Sequence, residues 1–291
     1  MNSIDREKIM TRLEEQYAVA DEYGYEAVGI FLYGSQNYGL DTAESDIDSK
    51  VIVIPKFTDF LHNKKPVSFT HVMENDEHID FKDIRLMFQC YKKQNINFVE
   101  TLFTEYFILN PEYEDLFSNV MDRREEIAQY DIKAALSCVM GMAYEKRKAL
   151  CHPYPTTAWK IEKWGYDPKQ LHHIIRLYEF ICNYTGNLVI DGGFLHYEPR
   201  LYNQCLTLHK DIQKLKEIKN DPTFSVDEAV DLADEMVDKI KLIREHTMND
   251  LALYQDDKIH DQAEYVLNII LERIIARSFK KEILNMPDVI E

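Results

Sequence analysis

Long apolar runs, paired cysteines and an excess of positive charge are what this 291-residue sequence lacks. No stretch is apolar for long enough to cross a bilayer and no leader pattern opens the chain, so a soluble cytoplasmic protein with no membrane partner is expected. The five cysteines, Cys90, Cys138, Cys151, Cys182 and Cys205, form no C-x-x-C pair. That argues against a disulfide framework and fits reduced thiols. Cys151 and His152 are adjacent, but no second ligand pair stands at zinc spacing. With a net charge of −17, the chain is unsuited to long, nonspecific tracking along nucleic acid, although a locally basic groove can still hold one RNA end. No internal repeat or low-complexity tract is present, and 45% hydrophobic content over this length suffices for a sizeable core in two domains.

What is there is concentrated between Phe31 and Pro55. The apolar run from Ala27 to Tyr33 has strand composition and stops at Gly34, where the backbone can turn sharply and approach a ligand. Ser35 and the amides beyond it are then placed to meet a phosphate. Eleven residues after Ser35 comes Asp46-Ile47-Asp48, leading into Val51, Ile52, Val53 and Ile54. In an extended chain both carboxylates point one way, about 6 to 7 Å apart, while Ile47 points into a core. Such a pair suits a hard divalent ion shared with substrate phosphates. The same acids, with Asp41 and Glu44, also fit a solvated acidic loop with Asx turns, the commoner meaning of an isolated D-x-D. A calcium loop fits less well, because counting from Asp46 puts Lys50 and Val51 where it needs an oxygen ligand and a glycine.

A third carboxylate, Asp80, stands between Ile79 and Phe81, the pattern of one polar side chain leaving a strand whose neighbours enter the core. Asp83, ahead of Ile84, Leu86, Met87 and Phe88, reads instead as a helix N-cap without a catalytic role.

Further along, Asp167 and Pro168 have N-cap and first-turn character, so a helix is expected to start there. Lys169, His173 and Arg176 then fall at i, i+4 and i+7 on one face, three potential cations suited to a triphosphate. A plain solvent-exposed basic face has the same spacing. Between Lys146 and Arg176 the chain holds Lys146, Arg147, Lys148, Lys160, Lys163, Lys169 and Arg176 against only Glu162 and Asp167. Tyr154, Trp159, Trp164 and Tyr166 are interleaved with them, either as stacking platforms for a base or as core.

The coarse order is a charged N-terminal helix from Ile4 to about Tyr23, then strands near 27 to 33, 47 to 54 and 77 to 82, then a helix from Ile84, with the α/β part ending near Asn110-Pro111. Helical stripes follow: Ile132 to Ala143, Val230 to Ile240 behind a Ser225/Glu228 capping box, and Ile259 to Ile274, with a short hairpin around Asp191-Gly192.

Gly34-Ser35, the Asp46/Asp48 pair and Asp80 resemble the pattern of the DNA polymerase β-type nucleotidyltransferase superfamily. Gly34-Ser35-x-x-Tyr38-Gly39-Leu40 with Ser45-Asp46-x-Asp48 is similar to a bacterial and phage branch of predicted nucleotidyltransferases, which includes polymerase-β-like RNA repair proteins associated with RNA ligases. Asn97 to Phe103 resembles a further segment of that group, with Phe98 and Val99 slightly displaced, and Gly141-Met142-Ala143 recurs there. So does Gly165-Tyr166-Asp167-x-Lys169-x-x-x-His173-x-x-Arg176-Leu177, with Pro168 where threonine is usual. The likeness covers roughly the first 190 residues.

The resemblance implies an α+β chain: a small mixed-sheet, palm-like catalytic domain over residues 1–112 and a helical domain over 113–291 that helps bind nucleotide and acceptor. It implies two Mg²⁺ ions (or Mn²⁺), with Asp46, Asp48 and Asp80 as ligands. Gly34 and Ser35 would cradle a nucleoside triphosphate such as ATP, and Lys169, His173 and Arg176 would clamp it. The implied reaction moves an NMP to an acceptor hydroxyl and releases pyrophosphate, the acceptor being an RNA 3′ end or a tRNA. Nucleotidylation of a protein or small molecule is the alternative enzyme, and a non-catalytic nucleotide- or RNA-binding module the alternative of another class.

Overall fold

The computed structural model describes residues 6–42, 45–186, 188–191, 194–197, 201–220, 223–251 and 257–286. Ile4, Glu44 and Gly192, expected in a helix, an acidic loop and a hairpin turn, lie outside the described residues. The chain is α+β, as expected, with a five-stranded mixed sheet and a large helical complement. Packing separates two units, residues 1–37, 41–130 and 258–291 in the first, and 38–40 with 131–257 in the second. The division thus departs from the expected one near residue 112: the first unit runs on to residue 130 and takes up the last helix.

In the first unit, β1 (Ala27–Tyr33), β2 (Asp48–Val53), β3 (Ser68–Val72), β4 (His78–Asp83) and β5 (Phe107–Leu109) form a sheet in the order β3-β4-β2-β1-β5. Only the β2/β4 pair is parallel. β1 and β2 are central, which explains apolar runs buried on both faces. β3 and β5 were not anticipated. β3 is an edge strand whose residues alternate between exposed and half-buried, and β5 is only three residues long, so neither carries a strong apolar signal.

The helix Arg6–Glu22 covers one face, burying Ile9, Leu13, Val19 and Ala20 against Ile30, Leu32, Val51, Val53, Ile79 and Phe81. Its Gln16 amide donates to the Ile47 carbonyl at 2.7 Å and to Glu77 at 2.9 Å, and Arg12 pairs with Glu77 at 2.6 Å. The approach to β2 is therefore fixed from behind. On the other face Phe31 lies 6.0 Å from Phe107 and 5.4 Å from Phe117, ring centre to ring centre. Asp83 caps the helix Ile84–Lys92 as expected, accepting from the Arg85 amide at 2.9 Å. That cap is worth about 1 kcal/mol.

The last helix, Asp257–Leu284, joins this unit through contacts no local pattern reveals. Lys281 pairs with Glu26 at 2.7 Å, Arg277 with Asp115 at 2.6 Å, and Phe279 packs against Phe57 and Phe60 at 5.3 and 5.7 Å. Among the described residues, no helix is long and apolar enough to cross a membrane.

In the second unit the helix Pro168–Thr185 is the hub, packed against Ile132–Ala149, Val226–Leu251, Tyr202–Thr207 and Ile212–Asn220. Asp131 caps Ile132–Ala149, and Ser225 and Glu228 form the expected reciprocal cap ahead of Val226–Leu251. Leu188–Asp191 and Phe194–Tyr197 pair as an antiparallel hairpin. His172 is 3% exposed and donates from Nδ1 to the Leu215 carbonyl at 2.9 Å. Burial pushes its pKa down to about 4 despite that bond.

Two outcomes are expected. A Cβ at Gly29 would stand 2.7 Å from the Ile108 carbonyl oxygen, so Gly29→Ala should force β5 off β1. A loss of about 1–3 kcal/mol is expected in urea unfolding, and an unchanged midpoint would refute the close-approach argument. For His172, the unfolded chain takes up a proton below about pH 6.5 whereas the folded one resists until about 4. Stability from this site is complete above pH 6.5 and falls by about 3 kcal/mol as pH drops towards 4. His172→Asn, which keeps a donor for Leu215, should flatten the melting-temperature profile in that window, and a slope equal to wild type would reject this assignment.

Candidate active site

The Gly34 turn and the D-x-D segment are tied together by backbone and side-chain hydrogen bonds. Gly34 has φ of 103°, a conformation that costs other residues dearly, while a Cβ there would meet little. Its carbonyl accepts from the Asn37 amide at 3.1 Å, closing the short 3-10 turn Ser35–Tyr38. The Gln36 side chain donates to the Asp46 carbonyl at 2.6 Å. Asn37 in turn donates to the Leu32 carbonyl at 3.1 Å and accepts from the Thr104 hydroxyl at 2.8 Å.

Asp46 lies just before β2 and is exposed, Ile47 is buried, and Asp48 opens the strand half-buried, the alternation expected of a D-x-D that sends both acids away from the core. Asp48 pairs in register with Tyr33 of β1 and accepts from the His78 amide of β4 at 2.9 Å. The His78 ring lies beside it, Nδ1 3.4 Å away.

Asp80 is on the neighbouring strand and the same sheet face, yet its register partner is Lys50. The Lys50 ammonium stands 3.0 Å from Asp80 Oδ2, 3.9 Å from the Tyr33 ring centre and 4.5 Å from that of Phe98. Lys50 is only 4% exposed. Burial pulls its pKa down from the ordinary lysine value, and the Asp80 carboxylate opposes that fall. Tyr33 is pushed up, first by burial and then by the negative charges of Asp48, Asp80 and Glu100. One phenol therefore lies within the field of three carboxylates. Phe98 and Glu100 come from the short turns Ile96–Val99 and Glu100–Leu102, which roof this part of the sheet.

The fit to metal differs between the two halves of the acid set. Among the described residues, no group of three His, Cys, Asp or Glu side chains converges as a ready metal cage. Mg²⁺ does not need one, since one or two carboxylates plus substrate phosphates suffice, and Asp46 with Asp48 offers that donor chemistry. Asp80 does not fit as a ligand of a second ion in this arrangement, because Lys50 already neutralises it. Sequence reasoning used Lys50 only to dismiss a calcium loop. Its position two residues after Asp48, hence on the same face, was the available signal.

The second signature builds a separate cluster within the helical unit. Asp167 accepts from the Lys169 amide at 3.0 Å with Pro168 in the first turn, confirming the helix start. Lys169 is exposed, and His173 and Arg176 are half-buried. Arg176 lies over the ring of Tyr38, a residue of this unit, 4.0 Å from its centre. Lys146 of the helix Ile132–Ala149 joins them: its pKa is lowered by burial and then by Lys169 and Arg176. His173 is pushed well below the usual histidine value by burial, then by Arg176, His172, Lys146 and Lys169. So the face holds three cations, but the third is Lys146, and His173 is a neutral imidazole among them. Of the aromatics, Tyr166 is fully buried core, whereas Tyr154 and Trp159 are 41% and 54% exposed. Trp164 lies 5.4 Å from Trp159 with Lys163 over its ring at 4.4 Å.

No protein-family model matches the chain. No curated protein matches it either. Among solved structures, the crystal structure of a nucleotidyltransferase-like protein from Exiguobacterium sibiricum is similar over 82% of this chain and 76% of its own, at 11% sequence identity and a TM-score of 0.31. The α+β fold and the two residue clusters stand on the chain's own geometry.

Proposed function

We propose that this chain is a metal-dependent nucleotidyltransferase that moves an NMP from a nucleoside triphosphate to an acceptor hydroxyl, preferably an RNA 3′ end, and releases pyrophosphate. The observation that carries this reading is the shared sheet face of Asp48 and Asp80 around Tyr33, with the Gly34-Ser35 turn leaving the strand that pairs with Asp48. A divalent ion arriving with the triphosphate supplies charge neutralisation at the phosphates, and Asp46 and Asp48 are the residues to hold it. The Gly34 turn brings backbone and the Ser35 hydroxyl against the phosphates. Asp80 accepts a hydrogen bond from the acceptor hydroxyl and orients it. The new O–P bond forms at the α-phosphorus as the α–β bridging P–O bond breaks, the electron pair leaves with pyrophosphate, and the hydroxyl proton passes to solvent. Positioning and charge complementarity are the main work in such transfers.

The preference for RNA rests on the helical unit. Lys146, Lys169 and Arg176 form an anion-binding cluster, and Tyr154 and Trp159 present exposed rings on which a base can stack.

The test is transfer of label from each α-labelled nucleoside triphosphate, with Mg²⁺, into separated RNA, protein and small-molecule pools. Label is expected on RNA and should fall at least about 100-fold in Asp48→Ala but about tenfold or less in Ser35→Ala. Label on protein or on a small molecule would replace the acceptor. Triphosphate binding with no labelled acceptor would sink the transferase and leave a nucleotide-binding module.

A further inference from the structure

A lysine ammonium is an odd neighbour for a carboxylate meant to bind metal. Lys50 is a cross-strand partner of Asp80 on β4 and of Phe31 on β1, so sheet register fixes where its stem leaves the backbone. Its side chain is 5% exposed, and that of Asp80 16%. The enclosure is chemically specific. One side of the ammonium meets Asp80 Oδ2 at 3.0 Å, and the rings of Tyr33 and Phe98 stand 3.9 and 4.5 Å away. Aromatic faces attract a cation through their quadrupole and replace part of its lost hydration. An ordinary surface ion pair has none of this, and an ordinary core would have used apolar side chains of similar volume.

We propose that the Lys50 ammonium, held between Asp80, Tyr33 and Phe98, is a resident cation that takes the place of a second divalent ion at Asp80, so that the site works with the single ion a triphosphate brings. This rests on the nucleotidyl transfer reading and deepens it. A divalent ion bound to Asp80 would stand beside a like charge with no route of escape, because the Lys50 stem is enclosed and its departure would leave the two rings facing an empty box. The fixed cation does part of what a second ion would do: it holds Asp80 oriented at the acceptor side and sets a positive charge beside Tyr33. Asp80 is then a positioning residue for Lys50 and for the acceptor, and no longer a metal ligand.

Counting bound Mn²⁺ by electron paramagnetic resonance, with a non-hydrolysable α,β-methylene triphosphate present, separates the possibilities. One triphosphate-dependent Mn²⁺ per chain is expected in the wild type, with the same count in Asp80→Asn. Lys50→Met should gain a second Mn²⁺, and Lys50→Met/Asp80→Asn, which removes both charges and so spares the fold, should return to one. Two ions in the wild type falling to one in Asp80→Asn would overturn the proposal, as would a folded Lys50→Met that still binds one. If Lys50→Met does not fold, the wild-type and Asp80→Asn counts decide by themselves. Wild-type protein with no triphosphate-dependent Mn²⁺ at all would instead remove the transferase reading on which the proposal stands.

Discussion

The buried ammonium of Lys50 is the constraint around which the candidate site is organised. Taking a lysine out of water costs several kcal/mol, and the sheet offsets this with a carboxylate from one neighbouring strand and rings from β1 and the turn over it. This requires β2 and β4 to be parallel and in the observed register. A slip of one residue would turn Lys50 into the apolar layer beneath the helix Arg6–Glu22 and expose the core residues of β2. The same register puts Asp48 beside Tyr33 and His78, so the geometry of the acids and the seating of the lysine are one decision.

Features encoded by neighbours in sequence were legible from it. β1, β2 and β4 announced themselves by apolar runs, and Asp83, Asp167 and the Ser225/Glu228 pair by capping chemistry that needs only a few residues. Edge strand β3 escaped because half its side chains face water, and β5 because three residues carry no period. The assignment of the last helix to the first unit escaped for another reason: its stripe was plain, but the Lys281–Glu26 and Arg277–Asp115 pairs are long-range facts.

The candidate site divides in the same way. Gly34, Ser35, Asp46, Asp48 and Asp80 could be put forward as candidates because residue type and spacing suggest their chemistry. Lys50, Tyr33 and Phe98 were not, since a lysine in a strand means nothing until its cross-strand partner is known. Lys146 likewise acquires meaning only across a helix pair, and so does the lowered pKa of His173, set first by burial and then by its cationic neighbours.

The return of the last helix to the first unit also dictates an order of events during synthesis. The Ser278–Glu26 hydrogen bond joins residues 252 positions apart, with the whole stretch 131–257 between them. At a ribosomal rate of about 5–20 residues per second, Glu26 waits on the order of ten to fifty seconds for its partner. The intervening helical unit, nearly contiguous in sequence, can be complete by then. The sheet that carries the acids is therefore made before the helical unit and finished after it.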